Sequence, residues 1–391
     1  MDNYDVVIIG AGPAGSTAAK YAALGGAKVL ILERDREPGI PVRCGEGVSE
    51  KGLSEFIQIN KKWISAEIDV AEIHSPNGEK AILRNNGKGY ILERRIFDNE
   101  LTKLATKNGA NILTKTDAIG LIFEDNKIVG VKIKHFDKVS EIKCKLVIGA
   151  DGVESRVGRW AGLKTHLLLS DLHTSMQYTV TNIDIESNKV QFYFGNNLAP
   201  GGYAWVFPKS GDSANIGVGI AADKLGNKSA KDYLDKFIKR YFPNAKIHCQ
   251  ICGGIPTANR LERIFADNIM LIGDAARQLN PITGGGIIQG MIAGKIAGEV
   301  AALAVKKKKY TADFLEIYQK RWDRKLGNTH KIFYKLKKRL FNMNDARFNR
   351  LIEECQNIPE NKSGLRIIFL RILRKNPTMA LKAAKGFVLG K

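Results

Sequence analysis

The sequence predicts an α/β nucleotide-binding domain, an antiparallel-sheet domain and a basic helical C-terminal region, α+β overall. Three observations predict it. Gly10-x-Gly12-x-x-Gly15 sits in a run that reads strand, turn, helix, strand and ends on Glu33. Residues 174–220 change to a hydrophobic period of two. From Lys306 to Lys391 the pattern is helical, with 23 Lys and Arg against 7 Asp and Glu, a net +16 in a chain whose total is +21.

The first βαβ unit is legible residue by residue. Tyr4 to Ile9 is an apolar strand, Pro13 to Gly25 an Ala-rich helix, and Lys28 to Leu32 a second strand. Gly10 permits the tight turn, Gly12 lets backbone approach a pyrophosphate, and Gly15 lets helix and strand pack closely. The helix N-terminus offers N–H groups to the phosphates, and Glu33 can accept from ribose hydroxyls. This motif calls for a dinucleotide and does not choose between FAD and NAD. Pro38 to Gly47 reads as a loop, Phe97 to Asn108 as a helix that stops at Gly109, and Asn111 to Leu113 as a strand. Ala118–Phe123 and Lys127–Ile133 form a hairpin about Glu124-Asp125-Asn126, and strand Lys145–Gly149 runs into Ala150-Asp151-Gly152.

In the second region, Ser175–Val180, Lys189–Phe194, Tyr203–Phe207 and Asn215–Ile220 read as antiparallel strands. An amphipathic helix, Ala230–Tyr241, and a strand, Ile247–Ile255, follow. Asn268–Gly273 returns as an apolar strand ending at Asp274, with a long helix after it. The expected domains are 1–62 with 90–165 and 255–305 for the nucleotide, 63–89 with 166–254 for the antiparallel sheet, and 306–391 for the basic helices.

At 391 residues the chain can hold two or three domains. Five cysteines and no visible targeting segment point to a reducing, cytoplasmic setting. Ile282–Val305 is apolar, but Gln289, Lys295 and Glu299 within it favour a buried core helix over a membrane span. The basic tail admits nucleic acid, an anionic lipid surface, an acidic partner or plain solvation. It carries no nucleic-acid recognition motif, so no nucleic acid is expected. Leu365–Leu373 sets Arg366 and Arg371 among apolar residues and fits an interfacial amphipathic membrane segment or a lid. Cys249 and Cys252 would point to opposite strand faces, and no His cluster has ligand spacing, so no metal is expected.

Ile272-Gly273-Asp274-Ala275-Ala276 places a carboxylate at a strand end, and Pro281-x-x-Gly284-Gly285-Gly286-Ile287 follows it. Asp274 could also be a plain helix N-cap. With these residues the sequence resembles the flavoproteins with a glutathione-reductase-type FAD fold. Ala150-Asp151-Gly152 and Arg94-x-x-Phe97-Asp98 resemble the p-hydroxybenzoate-hydroxylase-like branch. The resemblance implies FAD, with Asp274 at its ribityl and pyrophosphate part and Gly285, Gly286 and Ile287 near the flavin. It assigns Gly10, Gly12, Ala14, Gly15, Glu33, Arg34, Arg43, Cys44, Gly45, Gly47, Arg94, Ala118, Asp151 and Gly152 to the cofactor as well.

Arg43-Cys44-Gly45-Glu46-Gly47 and Pro200-x-x-Tyr203-x-Trp205-x-Phe207-Pro208 resemble the geranylgeranyl reductase family, most closely its archaeal branch that saturates digeranylgeranylglycerophospholipids. On a strand Tyr203, Trp205 and Phe207 share one face, which is either ordinary core packing or, as the resemblance implies, the wall of an isoprenoid cavity. The resemblance implies a geranylgeranyl lipid substrate and an external electron donor: ferredoxin, a deazaflavin or NAD(P)H. Cys44 reads as a buried small hydrophobe, a reactive thiol or a proton donor, and is the candidate catalytic residue. The anionic lipid head group would bring the basic tail against the inner face of the cell membrane. Two rival readings share part of the pattern: a flavin monooxygenase of the aromatic hydroxylase or squalene epoxidase type, and a basic nucleic-acid-binding flavoprotein.

Overall fold

The computed structural model describes residues 3–356, so the expected amphipathic segment Leu365–Leu373 lies outside the described residues. The chain begins β1 (Tyr4–Ile9), α1 (Pro13–Leu24), β2 (Val29–Leu32), β3 (Gly47–Ser49), α2 (Glu50–Ser54), β4 (Ile64–His74) and β5 (Lys80–Leu92). It continues through α3 (Arg94–Lys107), β6 (Asn111–Leu113), β7 (Thr116–Glu124), β8 (Lys127–His135), β9 (Lys138–Gly149) and α4 (Arg156–Trp160). Next come β10 (His173–Thr181), β11 (Lys189–Tyr193), β12 (Tyr203–Pro208), β13 (Ala214–Ala221), α5 (Ala230–Tyr241) and β14 (Lys246–Ile255). The described part closes with β15 (Phe265–Ala266), β16 (Ile269–Leu271), α6 (Ile287–Lys307), α7 (Ala312–Trp322), α8 (Asn328–Leu340) and α9 (Asp345–Gln356).

Two compact units divide these elements: residues 3–42, 94–166 and 259–330, and residues 43–93, 167–258 and 331–356. The break falls at 42/43 rather than 62/63 because β3 pairs with β5, Gly47 opposite Ile91 and Ser49 opposite Gly89. The expected third region 306–391 is shared out. Leu315, Tyr318 and Trp322 of α7 are buried in the first unit's core, whereas the α9 end bonds to β4–β5 residues, Asn77 N–H to Asn349 and Gln356 to Glu79.

The first unit is built on a sheet ordered β15-β16-β9-β1-β2-β6. β1 lies parallel to β2 on one side and to β9 on the other, and Val6, Val7 and Ile8 are fully buried. A strand buried on both faces needs a continuous apolar run, which is why β1 and β2 do not alternate. β9 is longer than the expected Lys145–Gly149, because its first half pairs antiparallel with β8. α6 is long and apolar enough to cross a membrane by composition, the one such helix among the described residues. Its apolar surface is instead packed in the core, and side chains on Gly294 and Gly298 would overlap the backbone carbonyls of Ala14 and Ala18 on α1.

The second unit is an eight-stranded sheet ordered β14-β10-β13-β12-β11-β4-β5-β3. It departs from the expected all-antiparallel arrangement at one seam: β11 runs parallel to β4, from Lys189 opposite Val70 to Tyr193 opposite His74. The β4–β5 hairpin comes from a distant stretch of chain, so no tight turn dictates its direction against β11. β13 is buried at all eight positions rather than at alternate ones. Leu234, Phe237 and Ile238 of α5 cover Ile216, Val218 and Ile220, and the Trp205 ring lies over Gly217 and Gly219 on the opposite face. α5 starts on a capping box of Ser229 and Asp232.

Glu72 of β4 is buried at the parallel seam. His74 Nε2 lies 2.8 Å away, Lys189 Nζ 3.2 Å and Lys80 Nζ 3.5 Å. The close His74 ring, and then Lys189, hold the carboxyl at about 2 against the opposing effect of burial. A carboxylate held below its unfolded value stabilises the fold above that value and loses its contribution as pH falls. Urea midpoints of the wild type should therefore drop as pH falls from about 4.5 towards 2, and Glu72→Gln should flatten that drop while lowering the midpoint at neutral pH. A parallel decline in both proteins would contradict this.

Candidate active site

In the first unit, the β1–α1 turn is the candidate nucleotide cradle. Gly10 takes φ 105°, a conformation that disfavours any side chain. A Cβ at Gly15 would overlap the Gly10 carbonyl oxygen, so only glycine lets α1 start so close to the strand. Gly12 has open space where a side chain would stand. Glu33 stabilises the turn from β2: its Oε2 accepts from the Ala11 N–H at 2.8 Å and its Oε1 from the Asp35 N–H at 2.8 Å. Burial raises the Glu33 pKa, and those two backbone donors oppose it. A cleft opens here, lined by Gly10, Gly12, Glu33, Arg34, Ala118 and Asp151 among others.

Two further loops complete this unit's site. Asp151 Oδ2 accepts from the Val157 N–H at 2.9 Å, while its buried Oδ1 has no hydrogen-bond partner. Gly152 follows with φ 71°. Ser155 then donates to the Ala275 carbonyl at 2.9 Å, which ties this loop to the Gly273–Ala276 turn. That turn is a short 3-10 helix, and the long helix α6 begins only at Ile287. Asp274 is therefore not an N-cap of the helix that was expected to follow it directly. Its Oδ1 instead faces Gly286, the residue before α6, where an added Cβ would lie 3.0 Å away. Burial pushes Asp274 up to about 6, with the Arg94 charge opposing. Arg94 opens α3 and forms two 2.7 Å bonds to Asp98. Ala14, at the crossing of α1 and α6, would touch side chains built on either Gly273 or Gly290.

In the second unit, Tyr203, Trp205 and Phe207 do share one face of β12. Neighbouring rings lie 6.0 and 6.4 Å apart, and Phe192 of β11 contacts Tyr203 and Phe207 at 5.5 Å each. Ala204 and Val206 turn to the α5 side. A Cβ at Gly217 would overlap the Trp205 ring, so this glycine makes the seat on which the indole lies. The Cys44 loop lies against the same face, with Gly45 beneath Phe207 and Trp205 and Gly47 beneath Phe207. Gln177 of β10 joins the two: it accepts from Trp205 Nε1 at 3.1 Å and donates to the Cys44 carbonyl at 3.0 Å. Glu46 anchors the loop from below. Its N–H donates to Cys44 Sγ at 3.2 Å, and its buried Oε2 accepts from Lys209 Nζ at 2.7 Å and from Asn215 Nδ2 at 2.6 Å. Burial, and then the neighbouring Cys44, push the Tyr203 hydroxyl well above its ordinary value.

Residues 171–255, which include β12 and Gln177, match the model of the geranylgeranyl reductase catalytic domain, and residues 5–193 match that of the FAD dependent oxidoreductases. Digeranylgeranylglycerophospholipid reductase 1 of Methanococcoides burtonii is 43% identical, over 96% of this chain and 92% of its own. The chain belongs to the geranylgeranyl reductase family. The crystal structure of a geranylgeranyl bacteriochlorophyll reductase-like protein from Thermoplasma acidophilum superposes with a TM-score of 0.92 at 35% identity, covering 99% of this chain and 100% of that one. A flavin-dependent brominase, at 20% identity and a TM-score of 0.76 over 98% of both chains, shares the fold alone.

FAD is the cofactor, and the first unit's residues fit it. The open space at Gly12 leaves room for a phosphate at the N-terminus of α1, and the Asp151 Oδ1 and the Asp274 carboxylate beside Gly286 are acceptors suited to the hydroxyls of such a ligand. The reductase's Arg43, Cys44, Gly45 and Gly47 fall in the second unit, although the expected boundaries placed them in the first. Arg43 lies beside Gly253 of β14. Cys249 and Cys252 are both exposed and form no disulfide. Among the described residues no cluster could hold a metal ion.

Sequence reasoning missed Gln177, Glu46, Lys209 and Asn215 as the frame of the Cys44 loop. The available signals were a Glu inside the Cys44 motif and a Lys directly after Pro208. It also missed Gln278, whose Oε1 accepts from the Gly273 N–H at 2.9 Å, and Tyr318, which donates to the Leu271 carbonyl at 2.8 Å.

Two outcomes are expected. Gly15→Val should yield protein with little bound flavin, read from the ratio of flavin to protein absorbance, while a full complement would overturn the cradle assignment. Lys209→Met, which leaves the Glu46 carboxylate buried without its cation, should cost about 3–5 kcal/mol in urea unfolding, and adding Glu46→Gln should restore part of it.

Proposed function

We propose that this chain uses FAD to saturate isoprenoid C=C bonds of geranylgeranyl lipids, with digeranylgeranylglycerophospholipids as its substrate. The observation that carries the reading is the coincidence of the reductase catalytic-domain match with the sheet that bears Tyr203, Trp205 and Phe207. That aromatic face gives an isoprenoid chain an apolar wall, and burial at ~25 cal/mol/Å² makes a long chain bind well. When bound and reduced, FAD supplies the hydride. The chain's own residues have four tasks: to hold the cofactor, place the alkene, exclude water and deliver a proton.

For the first task we assign Gly10, Gly12, Ala14, Gly15, Glu33, Arg34 and Ala118 to the adenosine diphosphate part. Arg94, Asp151, Gly152, Asp274, Gly285, Gly286 and Ile287 are assigned to the remainder. Proton delivery falls to Cys44. An isolated isoprenoid alkene has no carbonyl to polarise it, so the acid must be held at the receiving carbon. The Cys44 S–H bond breaks as the new C–H bond forms, and solvent returns the proton to sulfur. Gln177 and Glu46 keep the thiol in place through the Cys44 carbonyl and sulfur. Tyr203 remains protonated, because burial raises its pKa.

Gly10 to Gly15 is the single dinucleotide fingerprint read in the sequence, which favours an external electron carrier such as ferredoxin or a deazaflavin over NAD(P)H. A membrane-lipid substrate supports a peripheral place on the inner face of the cell membrane. The test is anaerobic turnover of a geranylgeranyl phospholipid with chemically reduced enzyme, read by mass spectrometry. A colourless protein, or turnover that needs oxygen, would overturn the reading. Cys44→Ala should lower turnover by roughly 10²-fold or more with the flavin spectrum unchanged. A wild-type rate in that variant would remove Cys44 from the reaction.

A further inference from the structure

Leu168 and Leu169 are 70% and 62% exposed, the most exposed large apolar side chains among the described residues. They are not on a loose loop. Leu169 opens a 3-10 turn that ends at Asp171, and Asp171 is held by α8. Its carboxylate accepts from Tyr334 Oη at 2.8 Å and from Lys337 Nζ at 3.1 Å, and Lys337 also donates to the Ser170 carbonyl at 2.9 Å. Lys337 is itself buried, so its charge is used inside the protein. The other cations of α8 are not: Lys331, Lys335, Lys338 and Arg339 are exposed. Lys338 Nζ lies 4.7 Å from the ring of Tyr334, whose hydroxyl holds Asp171, so at least this cation of α8 lies beside the leucine turn. Of the acids that act on Lys337, Asp171 is buried in its ion pair and Asp223, on the turn Ala222–Lys224, is exposed.

Exposed leucines fixed by a buried ion pair, beside an excess of exposed cations, match a surface that is apolar within and anionic at its face. Nucleic acid would satisfy the cations and leave the leucines in water. Resting on the lipid-reductase reading above, we propose that Leu168, Leu169 and the exposed cations of α8 form the face by which this chain docks on an anionic lipid bilayer. The leucines enter the acyl boundary, and Lys331, Lys335, Lys338 and Arg339 meet the phosphate head groups.

Sedimentation of the full-length flavoprotein with vesicles tests this, using phosphatidylcholine with and without phosphatidylglycerol. The wild type should co-sediment with the anionic vesicles and be released by salt. A Leu168→Ser/Leu169→Ser variant and a variant with Lys331, Lys335, Lys338 and Arg339 changed to Gln should each bind roughly tenfold less. Both should keep the wild-type flavin spectrum and turnover on detergent-dispersed substrate. Wild-type binding in either variant overturns the proposal, as does loss of turnover on dispersed lipid, which would place these residues in the catalytic machinery. A change of oligomeric state in the leucine variant with vesicle binding intact would assign the patch to a second copy and equally overturn it. Vesicle binding is read without substrate, so its failure leaves the reductase reading standing. Absence of turnover by the wild type falls on that reading alone.

Discussion

Backbone-to-backbone contact without intervening side chains is the constraint on which the nucleotide-binding unit depends. α1 must begin against the β1 turn, or its N–H groups do not converge on one point. Gly15 allows that on the strand side, and Gly294 and Gly298 of α6 allow it on the other. A single methyl at any of these places would drive α1 outwards, because the atoms it meets are backbone and cannot rotate aside. The Glu33 carboxylate then bonds to the Ala11 N–H and stabilises the turn from the neighbouring strand. The candidate anion site follows from packing and needs no positive side chain.

The second unit solves a different problem. It must keep a cysteine-bearing loop in one place against an aromatic face that offers few hydrogen bonds. A buried charge serves this purpose. Glu46 lies between Lys209 and Asn215, and its N–H reaches the Cys44 sulfur. Such a network adds little net stability, since desolvation offsets most of its attraction. Its value is geometric: the carboxylate has few alternatives, so the loop has one conformation. Gln177 repeats the device on the other side, using both ends of its amide to join the Trp205 indole to the Cys44 carbonyl. Trp205 is itself fixed, because Gly217 leaves the room in which the ring lies.

Together the two units divide the labour of alkene reduction as chemistry requires. In the proposed reaction the first unit would hold the redox cofactor through backbone donors, with Glu33, Asp151 and Asp274 around it. The second would offer apolar rings and the Cys44 thiol to a substrate that has no polar group at its reacting carbons. The oxygen-using and halogenating flavoproteins share the fold, so architecture alone does not select reduction. The choice rests on the residues added to it, above all the Cys44 loop and the aromatic strand.

What the sequence determined by itself was local. Gly10, Gly15 and Glu33 announced the first βαβ unit because strand, turn and helix are set within some thirty residues. The shared face of Tyr203, Trp205 and Phe207 followed from the period of a strand. What depended on distant partners was not legible. The parallel seam between β4 and β11, the full burial of β13, the assignment of the Cys44 loop to the second unit and the late start of α6 after Asp274 all arise from pairings made by tertiary contact. Glu46, Lys209 and Asn215 are ordinary polar residues in sequence, and only a shared buried site makes them a unit. The physical reason is the same throughout: dihedral preference and periodicity act between neighbours, whereas desolvation acts on whatever the fold brings together.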